Sequence, residues 1–163
     1  MRINGLNEAD ARTALEHCCV SRKWISAMLD QRPFGSEQAL RQVSDRAWSE
    51  CAEGDWLEAF EGHPRIGDIQ SLKAKYADTS SLAAAEQAGM QSADDSIIER
   101  LALGNKQYED RFGFMFIVCA TGKSALEMSE LLEARLTNER AQELSIAAEE
   151  QRKITQLRLE NLL

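Results

Sequence analysis

The chain has 163 residues, of which 44% are hydrophobic and 28% are charged, and it contains only two prolines. This length and composition are typical of one globular domain, residues 1–163, with a sizeable buried core. Twenty-seven acidic residues against 19 basic ones give a net charge of −8, which argues against a general nucleic-acid binder and against docking on anionic membranes. An anionic ligand would need a few local arginines to overcome the field of the whole molecule.

The sequence predicts neither a membrane span nor a targeting signal. The longest apolar run, residues 112–120, is far shorter than the roughly 20 residues that cross a bilayer. The first residues lack the apolar run of a signal peptide, and the last three carry no peroxisomal or endoplasmic-reticulum address. We therefore expect a cytoplasmic protein.

The four cysteines form no Cys-x-x-Cys pair. Cys18 and Cys19 are neighbours on a predicted helix and diverge by about 100°, so they cannot easily share one zinc ion. We expect reduced, mostly buried thiols and no metal site. Glycine-rich nucleotide motifs are also missing from the sequence, so we expect no cofactor.

The first third of the chain predicts four helices, because capping residues precede apolar residues at helical spacing. The expected caps, in chain order, are Asn7, Ser21, Ser36 and Asp55. Gly54 is expected to close the third helix and Gly62 the fourth, since glycine is common just after a helix.

The remaining two thirds predict further helices separated by glycine or by capping residues. They are 69–76 after Asp68, 81–89 ending at Gly89, a longer helix from about Ile97 to Phe112, 123–136, and a last helix capped by Asn138. The apolar seam of the last helix is expected to consist of Leu144, Ala148, Ile154, Leu157 and Leu162.

Residues 112–119 differ from the rest, because phenylalanines alternate there with other residues after a helix-breaking Gly113. Nothing elsewhere in the sequence could pair with this stretch as a sheet, so it predicts a short buried extended connector. The expected fold is therefore all-α: a single compact multi-helix domain of about eight helices with one such connector.

Only two histidines are available as general acid or base near neutral pH. His17 lies in the first predicted helix beside the cysteine pair, where a structural or surface role is expected. His63 precedes Pro64, which disfavours the helical conformation for it and favours a loop that presents the imidazole. A lone loop histidine is structural more often than catalytic, so this position by itself leaves both roles open.

The segment 63–68, His-Pro-Arg-Ile-Gly-Asp, resembles the signature of the 2-oxo-4-hydroxy-4-carboxy-5-ureidoimidazoline (OHCU) decarboxylases of urate degradation. The resemblance runs in order over essentially the whole chain. Its other segments are 32–34, 55–60, 86–89, Asn105 with Tyr108, 112–117 and 149–159.

This resemblance implies an all-α, cofactor-free carboxy-lyase, usually a homodimer, which converts OHCU to (S)-allantoin and CO₂ in the third step of urate degradation. The small anionic substrate is the expected partner. The implied catalytic residues are His63, Glu86 and Arg158, and the implied substrate-binding residues are Pro64, Gln87, Phe116, Ile117 and Val118. The sequence departs from the family pattern at Ala83, where a serine is usual.

The residues alone leave blander interpretations open. Glu86 is compatible with an ordinary solvated helix position, Arg158 with a surface arginine whose stem covers apolar residues, and the phenylalanines with plain core. Two other functions also compete: a metal-dependent hydrolase that uses His63 and Asp68, and a non-catalytic helical interaction module.

Overall fold

The structure is a computed structural model that describes the backbone of residues 1–64 and 84–163 and the side chains of residues 1–64 and 95–163. The described residues form eight α-helices and one 3₁₀ turn, and none of them is in a β-strand. The predicted all-α fold is therefore confirmed. The helix expected at 69–76 lies outside the described residues.

Five helices occupy the first described segment: α1 (Arg2–Gly5), α2 (Glu8–Glu16), α3 (Arg22–Asp30), α4 (Glu37–Ser49) and α5 (Glu53–Glu61). Three of the expected caps are confirmed, because each side-chain oxygen accepts a hydrogen bond from a backbone N–H in the first turn. These caps are Asn7, Ser21 and Ser36. Each satisfies a backbone donor that has no partner within its own helix.

The predictions for Gly54 and Asp55 are wrong. Helix α4 ends at Ser49 without reaching Gly54, which lies inside α5. Asp55 does not precede α5 but lies in its first turn, where its carboxylate accepts a 2.9 Å hydrogen bond from the Ala52 N–H. An acidic residue three positions into a helix also stabilises its start, so the residue type alone does not distinguish this position from a cap.

Three longer helices follow: α6 (Ala84–Phe112), α7 (Ala125–Arg135) and α8 (Arg140–Arg158), the last continued by a 3₁₀ turn (Leu159–Leu162). The two helices predicted on either side of Gly89 are one continuous helix, so the expected break there is wrong. A single interior glycine costs a helix only about 1 kcal/mol and does not end it. Asn138 is not the cap of α8, because it lies two residues before the helix begins.

The helices divide into two compact units. The first unit consists of residues 1–63, 117–119 and 144–163, and the second of 64–116 and 120–143. Two tryptophans tie the first unit together through buried indole N–H groups. Trp24 donates to the Ser44 carbonyl, and Trp48 donates to the Ala148 carbonyl of α8 at 3.0 Å.

A connector without helix or strand follows α6, as predicted, although only Phe114 and Ile117 of it are buried. Gly113, with a φ of 80°, ends α6, and residues 113–120 contain neither helix nor strand. Tyr108 packs within the second unit against Phe112, Phe114 and Phe116, with ring centroids 4.6, 5.9 and 5.2 Å away. This aromatic cluster anchors the first part of the connector to α6.

The second unit also buries an ion pair. Glu143 is fully buried, and its carboxylate accepts hydrogen bonds from Arg135, from Tyr108 at 2.5 Å and from Asn138 at 3.0 Å. The Arg135 guanidinium also lies 4.6 Å from the centre of the Phe116 ring. A buried charge pair of this kind is tolerated because further hydrogen bonds satisfy both partners.

We expect Glu143→Gln to destabilise the protein by about 3–5 kcal/mol, because it breaks a buried ion pair by neutralising one of its two charges. Urea unfolding measures this change. The control is Glu133→Gln, which breaks an exposed pair with Arg100 and should cost about 0–1 kcal/mol. Equal losses for the two variants would contradict the importance assigned to the buried pair.

The end of α5 depends on a close approach between Gly62 and Val20. A Cβ atom on Gly62 would lie 2.5 Å from Val20 Cγ2, and valine has little rotamer freedom with which to move away. We expect Gly62→Ala to destabilise the protein by about 1–3 kcal/mol, measured by thermal unfolding. Gly54→Ala, where nothing lies within 4 Å, is the matched control and should stabilise α5 by roughly 0.5–1 kcal/mol.

Candidate active site around His63

His63 follows directly after α5 and is half-buried. Its backbone N–H donates to the Phe60 carbonyl at 3.2 Å, which closes the last turn of the helix, and the next residue, Pro64, is exposed. The predicted non-helical position of this histidine is confirmed. It fixes the backbone of the imidazole at the end of a packed helix while leaving part of the ring open to solvent.

A buried glutamine of α8 contacts the ring. His63 Nε2 lies 2.5 Å from Gln151 Oε1, and Gln151 Nε2 donates to Thr155 Oγ1 at 3.1 Å. Since the glutamine NH₂ group faces Thr155, its oxygen faces His63 and can only accept. A hydrogen bond in this arrangement requires the proton on Nε2, which is the tautomer that leaves the lone pair on Nδ1.

Arg158 supplies positive charge to the same unit. It lies at the end of α8, is half-buried, and donates from Nη1 to the Cys18 carbonyl at 3.4 Å. Among the described residues it has no carboxylate partner within salt-bridge distance. An arginine has five N–H donors, so most of them are available to a ligand.

Burial is the main influence on His63 and lowers its pKa below the ordinary value. The hydrogen bond to Gln151 opposes this shift, and the charge of Arg158 adds to it. Both lowering effects disfavour the imidazolium form. The ring is therefore neutral at neutral pH, as a general base must be.

The neighbouring thiols remain protonated. Burial raises the pKa of Cys18 to about 11 and that of Cys19 to about 12. The Cys18 sulfur lies 3.6 Å from both the Ala14 and the Arg158 carbonyl oxygens, and either can accept its S–H. All four cysteines are free, and three of them are buried, which confirms the prediction of reduced, mostly buried thiols. Neither Cys18 nor Cys19 is suited to act as a nucleophile.

The other predicted site residues are divided between the two compact units. Ile117, which is buried, and the half-buried Val118 belong to the first unit with His63 and Arg158. Pro64 and Phe116 belong to the second unit. Glu86 and Gln87 lie in the first turn of α6, in that same unit, and their side chains are outside the described residues. Their contribution to a site stays a prediction.

The sequence interpretation did not identify Gln151 and Thr155. The predicted seam of α8 was wrong at Leu157, which is 46% exposed, and Ile154 is only half-buried. The buried residues of α8 and its 3₁₀ continuation are Glu143, Leu144, Ala147, Ala148, Gln151, Thr155, Leu159 and Leu162. Gln151 and Thr155 occupy positions where apolar residues would continue this stripe at helical spacing, and they were the signal available in the sequence.

The metal-hydrolase alternative gains no support from residues 1–64 and 95–163, where no group of three or more histidine, cysteine or acidic residues could hold a metal ion. Asp68, its second proposed ligand, lies outside the described residues. His17, at the end of α2, is exposed, as expected for a surface role. In the part of the chain that the structure describes, no helix is long and apolar enough to span a membrane.

Comparison with known families identifies the chain. The family model described as OHCU decarboxylase matches residues 4–160. The chain belongs to the OHCU decarboxylase family. It is 38% identical over 147 residues to the 2-oxo-4-hydroxy-4-carboxy-5-ureidoimidazoline decarboxylase of Amia calva, covering 85% of this chain and 78% of that protein.

The family also includes longer relatives. The chain is 36% identical over 146 residues to the uric acid degradation bifunctional protein TTL of Arabidopsis thaliana, covering 89% of this chain and 45% of that protein. A bifunctional relative from Bacillus sp. (strain TB-90) is 27% identical, and the chain covers 32% of it. The chain thus spans less than half the length of these two relatives.

Solved structures agree with the family assignment. A crystal structure of OHCU decarboxylase in the presence of (S)-allantoin matches with a TM-score of 0.71 and 32% identity, covering 90% of this chain and 95% of that one. A structure of (S)-allantoin synthase has a TM-score of 0.70 at 19% identity, which shows the shared fold alone.

We expect an NMR titration of the His63 ring to give a pKa below the ordinary value of about 6.5. Arg158→Gln should raise that pKa because it removes a positive charge near the ring. Arg152→Gln is the control: this arginine lies on the same helix but pairs with Glu149 and Asp45, so it should leave the pKa unchanged.

The lowered pKa of His63 determines how the stability of the protein depends on pH. Between the ordinary pKa and the lower folded pKa, the unfolded chain binds a proton on His63 that the folded protein does not bind. The contribution of His63 to stability is therefore present above about pH 6.5 and is lost as the pH falls through the folded pKa. A folded pKa above 6.5 would contradict the environment described for this ring.

Proposed function

We propose that this chain is a cofactor-independent decarboxylase that converts OHCU to (S)-allantoin and CO₂. Membership of the OHCU decarboxylase family supports the proposal, as does the likeness to a solved OHCU decarboxylase at 32% identity. The observation that carries it is the pairing, in one unit, of a neutral half-buried imidazole with an arginine that has no carboxylate partner among the described residues.

The substrate's own chemistry makes an electron sink in the protein unnecessary. OHCU carries its carboxylate on a ring carbon that also bears a hydroxyl group, beside the conjugated C=N bond of the imidazoline ring. When the C–C bond to the carboxylate breaks, CO₂ leaves and the electron pair passes into that conjugated system. A ring nitrogen takes up one solvent proton, which balances the charge of the lost carboxylate.

His63 moves the remaining proton. In the proposed step, Nδ1 accepts the proton of the substrate hydroxyl, whose carbon becomes the carbonyl of allantoin. The resulting imidazolium returns a proton to the ring carbon that bears the ureido group, from one face only, and this fixes the configuration. The depressed pKa of His63 suits both halves of this transfer, because the ring starts neutral and releases its proton readily.

Arg158 holds the substrate's negative charge. A half-buried guanidinium binds an oxyanion more strongly than an exposed one, and its planar fork matches a carboxylate. The remaining residues of the proposed site rest on the family resemblance alone. Glu86 would orient His63 or the substrate, Gln87 would bind the ureido or ring amides, Pro64 would fix the His63 turn, and backbone groups of 116–118 would complete the pocket.

The setting of the enzyme is also proposed from the resemblance. We expect residues 1–163 to act as one domain, a homodimer in solution, in the cytoplasm. The substrate would be supplied by hydrolysis of hydroxyisourate. Sedimentation equilibrium tests the oligomeric state independently of activity.

We expect the wild-type protein to accelerate formation of optically active allantoin when OHCU is generated in situ from urate, followed by circular dichroism. His63→Asn should reduce the rate to the spontaneous, racemic background, because Asn provides no base. Arg158→Gln should lower kcat/KM by about 100-fold or more, since it removes a charge-assisted contact to the substrate.

His17→Asn is the matched control, because this exposed histidine lies outside the proposed site, and its activity should equal that of the wild type. The proposal fails if the wild-type protein does not exceed the spontaneous decay. It fails equally if folded His63→Asn protein retains near-normal turnover.

A further inference from the structure

The contact between Gln151 and His63 is the most deeply buried polar contact of the proposed catalytic ring. Gln151 is only 1% exposed, and its oxygen lies 2.5 Å from Nε2 of the histidine. The glutamine belongs to α8 and the histidine to the end of α5, 88 positions apart in the sequence. Residues this far apart in the sequence come into contact only through the tertiary fold.

A second buried residue contacts the other end of the glutamine amide. Gln151 Nε2 donates to Thr155 Oγ1, one helical turn further along α8, and Thr155 is itself buried. The Thr155 hydroxyl also interacts with the Cys19 thiol. Rotating the amide by 180° would bring its NH₂ group to His63 and its oxygen to Thr155. His63 would then need a bare Nε2 and a proton on Nδ1.

The two tautomers differ in what they offer a substrate. With the proton on Nε2, Nδ1 carries the lone pair that can accept a proton. With the proton on Nδ1, that atom can only donate. An amide oxygen suits the first arrangement because it accepts the Nε2–H bond without introducing a negative charge that would strongly favour the imidazolium form.

We propose that Gln151 is a positioning residue that holds His63 in its Nε2–H tautomer and thereby keeps the Nδ1 lone pair available as the catalytic base. The proposal rests on the function proposed above for His63. Among the described residues, Arg158 is the charged group that acts on this ring, and its cation also disfavours imidazolium formation. The amide therefore sets the tautomer, while burial and Arg158 set the protonation state.

Gln151→Leu tests the proposal because leucine fills a similar volume without a hydrogen-bond acceptor. Two-dimensional ¹⁵N–¹H NMR of the imidazole should show Nε2–H in the wild type and a mixture of tautomers in the variant. We expect kcat to fall by about 10- to 100-fold, as when a metal-binding histidine loses its hydrogen-bond partner, with KM little changed. A purely structural glutamine would alter stability without altering the tautomer.

Gln151→Glu keeps a hydrogen-bond acceptor at this position but adds a negative charge. Its carboxylate accepts the same Nε2–H bond, so the tautomer should be retained. The added negative charge should raise the pKa of His63 and move the acidic limb of the kcat/KM profile to higher pH. Above that limb the activity should exceed that of Gln151→Leu.

Gln156→Leu is the matched control. Gln156 is a half-buried glutamine of the same helix that donates to the Arg41 carbonyl and to Asp45. Its amide oxygen also accepts from Arg41, so its replacement removes three side-chain hydrogen bonds but should change neither the His63 tautomer nor the pH profile. If Gln151→Leu does not fold, Thr155→Val removes the acceptor that orients the amide and should also mix the tautomers.

Each outcome decides between the two proposals. If Gln151→Leu folds and keeps both the wild-type tautomer and the wild-type kcat, the role assigned to Gln151 is wrong while the decarboxylase function stands. If the wild-type protein does not accelerate OHCU decay, the proposed function fails, and the tautomer measurement alone then decides whether Gln151 fixes the ring. A wild-type ring protonated on Nδ1 overturns the role of Gln151 in either case.

Discussion

Burial of polar side chains by α8 is the constraint on which both compact units depend. This helix buries Glu143, Gln151 and Thr155, and a buried polar group without a partner costs about 1–3 kcal/mol. In one unit the carboxylate of Glu143 is satisfied by Arg135 and Tyr108. In the other, Gln151 is satisfied by His63 and Thr155, so the requirement that stabilises the helix also fixes the ring proposed to act as base.

The electrostatics of the chain are decided locally. A net charge of −8 opposes an anionic ligand in general, yet several surface arginines are neutralised by nearby carboxylates, such as Arg22 by Glu58 and Arg41 by Glu37. Arg158 differs from these because no described carboxylate pairs with it. The acidic composition therefore describes the solvated surface rather than the proposed binding site, where one partly desolvated cation has the larger effect.

The sequence predicted helices well where a strong local signal existed. Local sequence was enough to predict the side-chain caps at Asn7, Ser21 and Ser36 and the helix end at Gly113. These features depend on backbone geometry within a few residues, and the residue type at one position indicates them directly. The errors at Gly54 and Gly89 arose because glycine was interpreted as a helix end, although an isolated glycine is only a modest penalty inside a helix. Where a helix ends near such a glycine depends on hydrogen bonds of neighbouring residues, which the sequence does not show.

The candidate site was less accessible to sequence reasoning. The roles of His63 and Arg158 came from family resemblance. Periodicity was right for Leu144, Ala148 and Leu162 of the predicted α8 seam but not for Ile154 and Leu157. The contact between His63 and Gln151 depends on two helices meeting in space, and no local pattern encodes such a meeting. What the sequence did contain was a pair of polar residues where an apolar stripe should continue, which is informative only once the register of the helix is known.

The neutral Cys18 thiol next to Arg158 affects how well the proposed site resists oxidation. The Cys18 sulfur lies 3.6 Å from the Arg158 carbonyl oxygen, and burial keeps the thiol from ionising. A protonated, inaccessible thiol reacts slowly with oxidants and alkylating agents, because the thiolate is the reactive form. Oxidation to a sulfinate would place a permanent anion beside the one cation that is proposed to hold the substrate. By keeping this sulfur neutral, the fold protects the charge of its neighbour.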